Sequence, residues 1–176
     1  MDLLRTNYHW RNRYLLMRHG HSQANAQRKI ISSPERGLTN YGLSEQGEQQ
    51  LVDVLAQWRW PEPTRVVHSD FLRTTHTAAR VTEAFALEMQ QEERLRERHF
   101  GELDGQADSY YPEVWAFDAQ SADHTQWHVE PVSRVAARMC AALDALEQRF
   151  EGETVLVVSH GAPLQILLTA LAGKPL

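Results

Sequence analysis

Thr154-Val155-Leu156-Val157-Val158-Ser159 is apolar at every interior position. Such an unbroken run fits a strand covered on both faces rather than one with a wet side. Helical patterns frame it. Upstream, Val132, Val135, Ala136, Met139, Leu143, Leu146 and Phe150 recur at helical spacing, and Gly152 breaks the pattern. Downstream, a helix is expected from near Pro163, a residue suited to a first turn, to near Gly173. Tyr14-Leu15-Leu16-Met17 reads as a second buried strand, Arg65-Val66-Val67-His68 as a third, and residues 86–95 hold a fourth candidate. Ser44 is placed to cap a helix running to about Trp58, and Ser69 one from about Asp70 to Phe85. Strands alternating with helices predict an α/β fold, a three-layer sandwich around a mostly parallel central sheet. The 176 residues suit one domain over 1–176, with an irregular insertion at about 100–131 over one end of the sheet.

Charge narrows the possible partners. A formal net charge of -5 leaves no overall basic face for nucleic acid or an acidic membrane, so any anion site must be a local concentration of positive charge. Cys140 is the only cysteine, so no intrachain disulfide is expected. Met1-Asp2-Leu3-Leu4-Arg5-Thr6 lacks the pattern of a secretory signal, and no apolar run approaches the ~20 residues that span a bilayer. The expected setting is cytoplasmic. The sequence assigns no oligomeric state.

In sheets of this kind, ligands bind beyond the carboxyl ends of the strands. Arg18-His19-Gly20-His21 follows the first strand, and His160-Gly161 follows the apolar run. Taken singly, these groups could bind a metal, grip an anion, do covalent chemistry or sit on a surface. Glycine after His160 lets backbone pass close to a ligand, and the helix start that follows suits an anion. Arg73 rises from the start of another helix, where its guanidinium can fork onto phosphate oxygens. Two arginines, two histidines and helix N-termini together favour a phosphoryl group. Metal is the rival chemistry. His19 and His21 are two apart, and His124 and His128 have a spacing that suits a helix face. Neither pair has a second ligand set beside it, and Arg18 next to His19 disfavours a cation, so no metal site is expected.

Four blocks, LLMRHGHSQAN (15–25), HSDFLRTTHTA (68–78), RLRERHFGELDG (94–105) and VVSHGAP (157–163), occur in that order. From about Tyr14 to Leu171 the chain resembles the histidine phosphatase (phosphoglycerate mutase-like) superfamily. The resemblance implies that His19 is the nucleophile, with Arg18 and Arg73 keeping it neutral and holding the phosphoryl oxygens. It makes His160 a second contact to the transferring group, cationic beside bound phosphate. Glu97 becomes the acid that protonates the leaving alcohol, which requires a raised pKa; local sequence alone would place Glu97 on a solvated charged face. Ser22 and Asn25 match small polar positions that donate to phosphate or substrate oxygens, although Asn25 also reads as a helix or turn cap. Gly20 and Gly161 complete the implied phosphate-binding set.

The implied activity is metal-independent hydrolysis of a small-molecule phosphate monoester through a phosphohistidine, without a cofactor. A phosphoglycerate mutase-type transferase and a catalytically silent phosphate-ester binding module are the alternatives. Two departures from the mutases favour hydrolysis. Between His99 and Arg134 there is no lysine or arginine, but Glu102, Asp104, Asp108, Glu113, Asp118, Asp123 and Glu130 make the insertion acidic, which would repel a second anionic group facing it. Ile31-Ser32 stands where mutases carry a small hydroxyl residue and glycine. His21 replaces an acidic residue common in the family, and is expected at the pocket edge. Tyr110, Tyr111, Trp115, Phe117 and Trp127 either line a pocket for an apolar leaving group or hold the insertion to the domain. Family members continue past the helix after the second histidine, whereas this chain ends at Leu176. Read as a short or a truncated member, it is expected to show an exposed sheet edge or a looser pocket wall.

Overall fold

The computed structural model describes residues 3–5 and 7–176. Its centre is a four-stranded parallel sheet in the order β1 (Arg13–Arg18), β4 (Thr154–Ser159), β2 (Arg65–His68), β3 (Met89–Gln91). The apolar run is β4, and both of its faces are covered. Val155 and Val157 meet Val135, Met139 and Leu143 of α6 (Val132–Arg149) and Leu167 of α7 (Gly161–Leu171). Leu156 and Val158 point the other way, toward Ala78 and Val81 of α4 (Leu72–Phe85) and Leu55 of α3 (Glu45–Ala56). That two-sided burial is why the run has no polar alternation.

Pairing sets the site. Arg18 of β1 is in register with Ser159 of β4, so the residues that follow, His19 and His160, leave neighbouring strands side by side. On the other side of β4, His68 of β2 pairs with Val158, and the chain turns there into α4, bringing Arg73 to the same end.

Several element boundaries move. The candidate strand in 86–95 is only the three residues of β3. Ser44 caps α3 as its position suggests, its hydroxyl accepting from the Gly47 N–H at 3.1 Å. Ser69 does not cap α4: the N-cap is Phe71, with no side-chain hydrogen bond, and Ser69 turns instead to His160. α7 begins at Gly161, two residues before Pro163, whose missing N–H costs nothing in a first turn.

The insertion has regular structure of its own, α5 (Tyr111–Asp118), with short 3₁₀ turns on either side. It closes around Phe100, Leu103, Val114 and Val129 together with Ile30 from the loop after β1. Ile30 N–H donates to the Gln106 carbonyl at 2.8 Å and Asp108 N–H to the Arg28 carbonyl at 2.9 Å, so the insertion is joined to the loop that leaves the carboxyl end of β1. Two four-residue helices in and beside that loop, Gln23–Ala26 and Pro34–Gly37, have no periodicity to announce them. Among the described residues no helix is long and apolar enough to cross a membrane.

Candidate active site

His19 is 7% exposed. Its Nδ1 lies 2.7 Å from the Gly20 carbonyl. A carbonyl only accepts, so Nδ1 carries the proton and the lone pair of the neutral ring sits on Nε2. Arg73, 4% exposed, donates from Nε to that Nε2 at 3.2 Å and from Nη2 to the Ile31 carbonyl at 2.8 Å. The His19 and His160 rings meet edge to face with centroids 5.3 Å apart, and His160 Nε2 is hydrogen-bonded to Ser69 Oγ at 2.9 Å. Glu97 Oε2 stands 3.6 Å from Arg73 Nη2 and 3.8 Å from His160 Nδ1. Three buried side chains and the partly exposed Glu97, from separate parts of the chain, thus converge at the carboxyl end of the sheet.

Their protonation follows from burial and from the arginines beside them, Arg73 first. Burial, then Arg73 and Arg18, push the His19 pKa down to about 3. Burial, then Arg73 and His19, hold His160 well below the usual imidazole range. The cationic His160 expected beside phosphate therefore needs the dianion to outweigh both effects. Burial raises the Glu97 pKa, opposed by Arg73. Among the described residues, Arg73 Nη1 and His160 Nδ1 are buried without a hydrogen-bond partner. Buried unsatisfied groups are rare enough to require an explanation, and phosphoryl oxygens would satisfy both.

The other expected site residues are placed differently. Arg18 ends β1 exposed, at the mouth of the site beside Gly161; a Cβ on Gly161 would come within 3.3 Å of the Arg18 Nε. Gly20 does not offer its backbone to a ligand: its N–H donates to Thr77 Oγ1 at 3.1 Å and its carbonyl holds His19. Ser22 and Asn25 close on each other. Ser22 is fully buried, its backbone N–H and hydroxyl both donate to Asn25 Oδ1, and it accepts from the Asn25 N–H, a reciprocal cap of the helix that follows. The cap reading of Asn25 is the one the geometry supports. His21 bonds Ser44 Oγ through Nδ1 at 2.7 Å, tying the loop to the start of α3. Gly47 permits this approach, since a Cβ there would lie 2.0 Å from the His21 carbonyl oxygen. The His124 and His128 spacing is not that of one helix face, because Trp127 and His128 both have positive φ. His124 bonds Asp118 and His128 bonds Glu102.

Glu97 is held by its neighbour Arg98 and, directly or through it, by residues outside the four blocks. Its Oε1 accepts from the Arg98 N–H at 2.9 Å. Arg98, 2% exposed, forks onto both oxygens of Asp118 at 2.8 and 2.9 Å and donates to the Glu130 carbonyl. Arg138 donates to the Glu97, Arg96 and Arg94 carbonyls. Much of the insertion's acidity is therefore compensated: Asp118 by Arg98, Asp104 by Arg36, Glu130 by Arg138. The expected repulsion of a second anion by those three carboxylates is correspondingly reduced. Beside this cluster opens a cleft of about 600 Å³, with Arg18, Glu97 and Gly161 as well as Tyr111, Trp115, Gln165 and Ile166 in its lining.

Residues 14–176 match the family model of the histidine phosphatase superfamily, branch 1. The chain is similar to "Probable phosphoglycerate mutase GpmB" of Erwinia tasmaniensis, 34% identical over 91% of this chain and 74% of that one. The Yersinia pestis protein of the same name is also 34% identical with the same coverage. Among solved structures, Bacillus stearothermophilus YhfR aligns with a TM-score of 0.76 at 28% identity, over 94% of this chain and 82% of that one. A mycobacterial glucosyl-3-phosphoglycerate phosphatase aligns with a TM-score of 0.71 at 28% identity, over 91% and 79%.

Proposed function

This chain belongs to the histidine phosphatase superfamily, branch 1, and within it we propose that the protein is a metal-independent phosphomonoester hydrolase that forms a phosphohistidine on His19. The observation that carries the reading is the single arrangement of a proton-fixed His19, Arg73, His160 and a largely buried Glu97, in which two buried groups, Arg73 Nη1 and His160 Nδ1, have no hydrogen-bond partner and could take phosphoryl oxygens.

The chemistry proceeds in two displacements. Arg73 Nε lets go of the His19 lone pair and takes a phosphoryl oxygen, leaving Nε2 free to attack phosphorus in line. Arg73, Arg18 and His160 stabilise the equatorial oxygens, while the Glu97 carboxyl gives its proton to the departing alcohol oxygen. The P–O bond breaks as the N–P bond forms. Water then attacks the phosphohistidine, its proton passes to the Glu97 carboxylate, the N–P bond breaks, and inorganic phosphate leaves with His19 and Glu97 restored.

The names of the curated relatives favour a second reading, phosphoglycerate interconversion. Against it stands the loop after β1. Ile31 occupies the place of the mutases' hydroxyl residue, it is buried, and its carbonyl is taken by Arg73. The neighbouring Ser32 hydroxyl is held between Asp104 and the Phe100 N–H. Phosphate release from a phosphate monoester with a chelator present is expected, and His19→Ala should abolish it. Interconversion of 2- and 3-phosphoglycerate exceeding phosphate release would establish the mutase reading instead, and chelator-sensitive turnover would overturn the metal-free step.

A further inference from the structure

The cleft that opens from Glu97 and Arg18 is built from two different walls. One is the ladder Phe100, Tyr111, Trp115. Phe100 is buried and meets Tyr111 edge to face at 5.0 Å; Tyr111 and Trp115, one helical turn apart on α5, stack with planes 6° apart and centroids at 5.9 Å. The outer ring, Trp115, is 56% exposed. The facing wall is one stripe of α7, with Ala162, Gln165, Ile166 and Thr169 at the spacing that puts them on a single face. A large aromatic left more than half in water, but stacked on a partner and lining a cleft that begins at the reactive groups, offers a flat apolar surface to a bound molecule.

We propose that this cleft receives the leaving group and selects phosphate monoesters of flat, apolar or aromatic alcohols, with Trp115 as the specificity-determining residue. The inference rests on the hydrolase reading and adds the substrate class to it. Charge supports the choice. A second cleft, of about 770 Å³, runs along the other side of Glu97 and carries four arginines. Three of them are already paired, Arg94 with Glu92, Arg96 with Asp70 and Arg138 with Glu130. An anionic leaving group would find little uncompensated charge there. In the aromatic cleft, Arg98 and Asp118 are paired with each other, which leaves Arg18 and Glu97 as the charged side chains beside the reactive cluster, and most of the remaining wall is rings and α7 side chains.

The test compares two alkyl esters, 2-naphthylmethyl phosphate and glycerol 1-phosphate, chosen because neither alcohol is an activated leaving group. Trp115→Ala should lower kcat/KM for the naphthylmethyl ester about tenfold and leave the glycerol ester within twofold, and Trp115→Phe should recover most of the loss. Equal losses on both esters, or none on either, would overturn the assignment. Binding of 2-naphthylmethylphosphonate, which cannot be hydrolysed, gives a readout independent of turnover. Weaker binding to Trp115→Ala than to the wild type supports the cleft, and unchanged binding overturns it. Turnover surviving His19→Ala would count against the hydrolase mechanism alone.

Discussion

At the scale of single residues, burial shifts two groups in the directions that the proposed mechanism needs. Burial disfavours charge on both. His19 therefore stays neutral down to about pH 3, while Glu97 keeps its proton above the ordinary carboxylate range. The proposed first displacement requires neutral His19 and protonated Glu97, so kcat/KM should be lost on the acid side as His19 gains a proton and on the alkaline side as Glu97 loses one. Substrate ionisation adds a transition near pH ~6. Glu97→Gln separates them: it should lower kcat by about 10²–10⁴-fold and remove the alkaline Glu97 limb, leaving the His19 limb and the substrate's own transition. An alkaline limb unchanged in Glu97→Gln would take the acid role away from Glu97. Little of this was visible in residue type alone. Glu97 sits in a run of charges that reads as a solvated face, and only its place in RLRERHFGELDG marked it; the structure adds that its side chain is turned into the cluster beside Arg73 and His160. Ser69 was legible as polar and near a helix start, but its bond to His160 spans strands far apart in sequence. His21, which sequence could place only at a pocket edge, proves to be the tie between the first loop and α3.

At the scale of elements, the strands and long helices were legible because two-sided burial and helical periodicity both leave sequence patterns. The insertion was not, since its short turns follow hydrogen bonds rather than a period. Yet the insertion holds Glu97, the proposed acid, in place. Asp118, on α5, fixes Arg98, and the Arg98 N–H fixes the Glu97 carboxyl. Burial alone would raise the Asp118 pKa, but the bonds from Arg98 and His124 reverse this and keep it ionised. Asp118→Asn preserves the shape and removes the charge. It should reduce kcat between about tenfold and a hundredfold through misplacement of Glu97. It should also move the alkaline limb of kcat/KM to lower pH, because the Arg98 charge is then uncompensated near Glu97. A purely structural role would leave that limb where it is, so an unmoved limb with unchanged kcat sinks the positioning role.

At the scale of the whole molecule, the candidate site and a buried carboxylate network lie at opposite ends of the sheet. The reactive groups lie beyond the carboxyl ends of the strands. At the amino ends, Glu147 near the end of α6 is fully buried and accepts four hydrogen bonds: Tyr8 and Tyr14 hydroxyls at 3.0 and 2.7 Å, the Arg11 N–H at 2.9 Å and Asn12 Nδ2 at 2.9 Å. One carboxylate thereby binds the segment leading into β1, an edge strand of the sheet, to α6. Burial pushes the Glu147 pKa up, but the four donors outweigh it and the net shift is downward from 4.5. A carboxylate whose folded pKa is depressed stabilises the fold above its unfolded pKa, and that contribution disappears as pH falls through the folded value. Glu147→Gln replaces an acceptor oxygen with a donor facing donors. It should cost about 2–4 kcal/mol at pH 7 in urea denaturation, with the gap to the wild type narrowing as pH drops below 4.5. Because Glu147 touches nothing in the site, kcat/KM at 25 °C should stay within twofold. A gap that persists unchanged at low pH would mean that shape, not charge, holds β1 to α6. Loss of turnover in a folded Glu147→Gln protein would mean the two ends of the sheet are coupled.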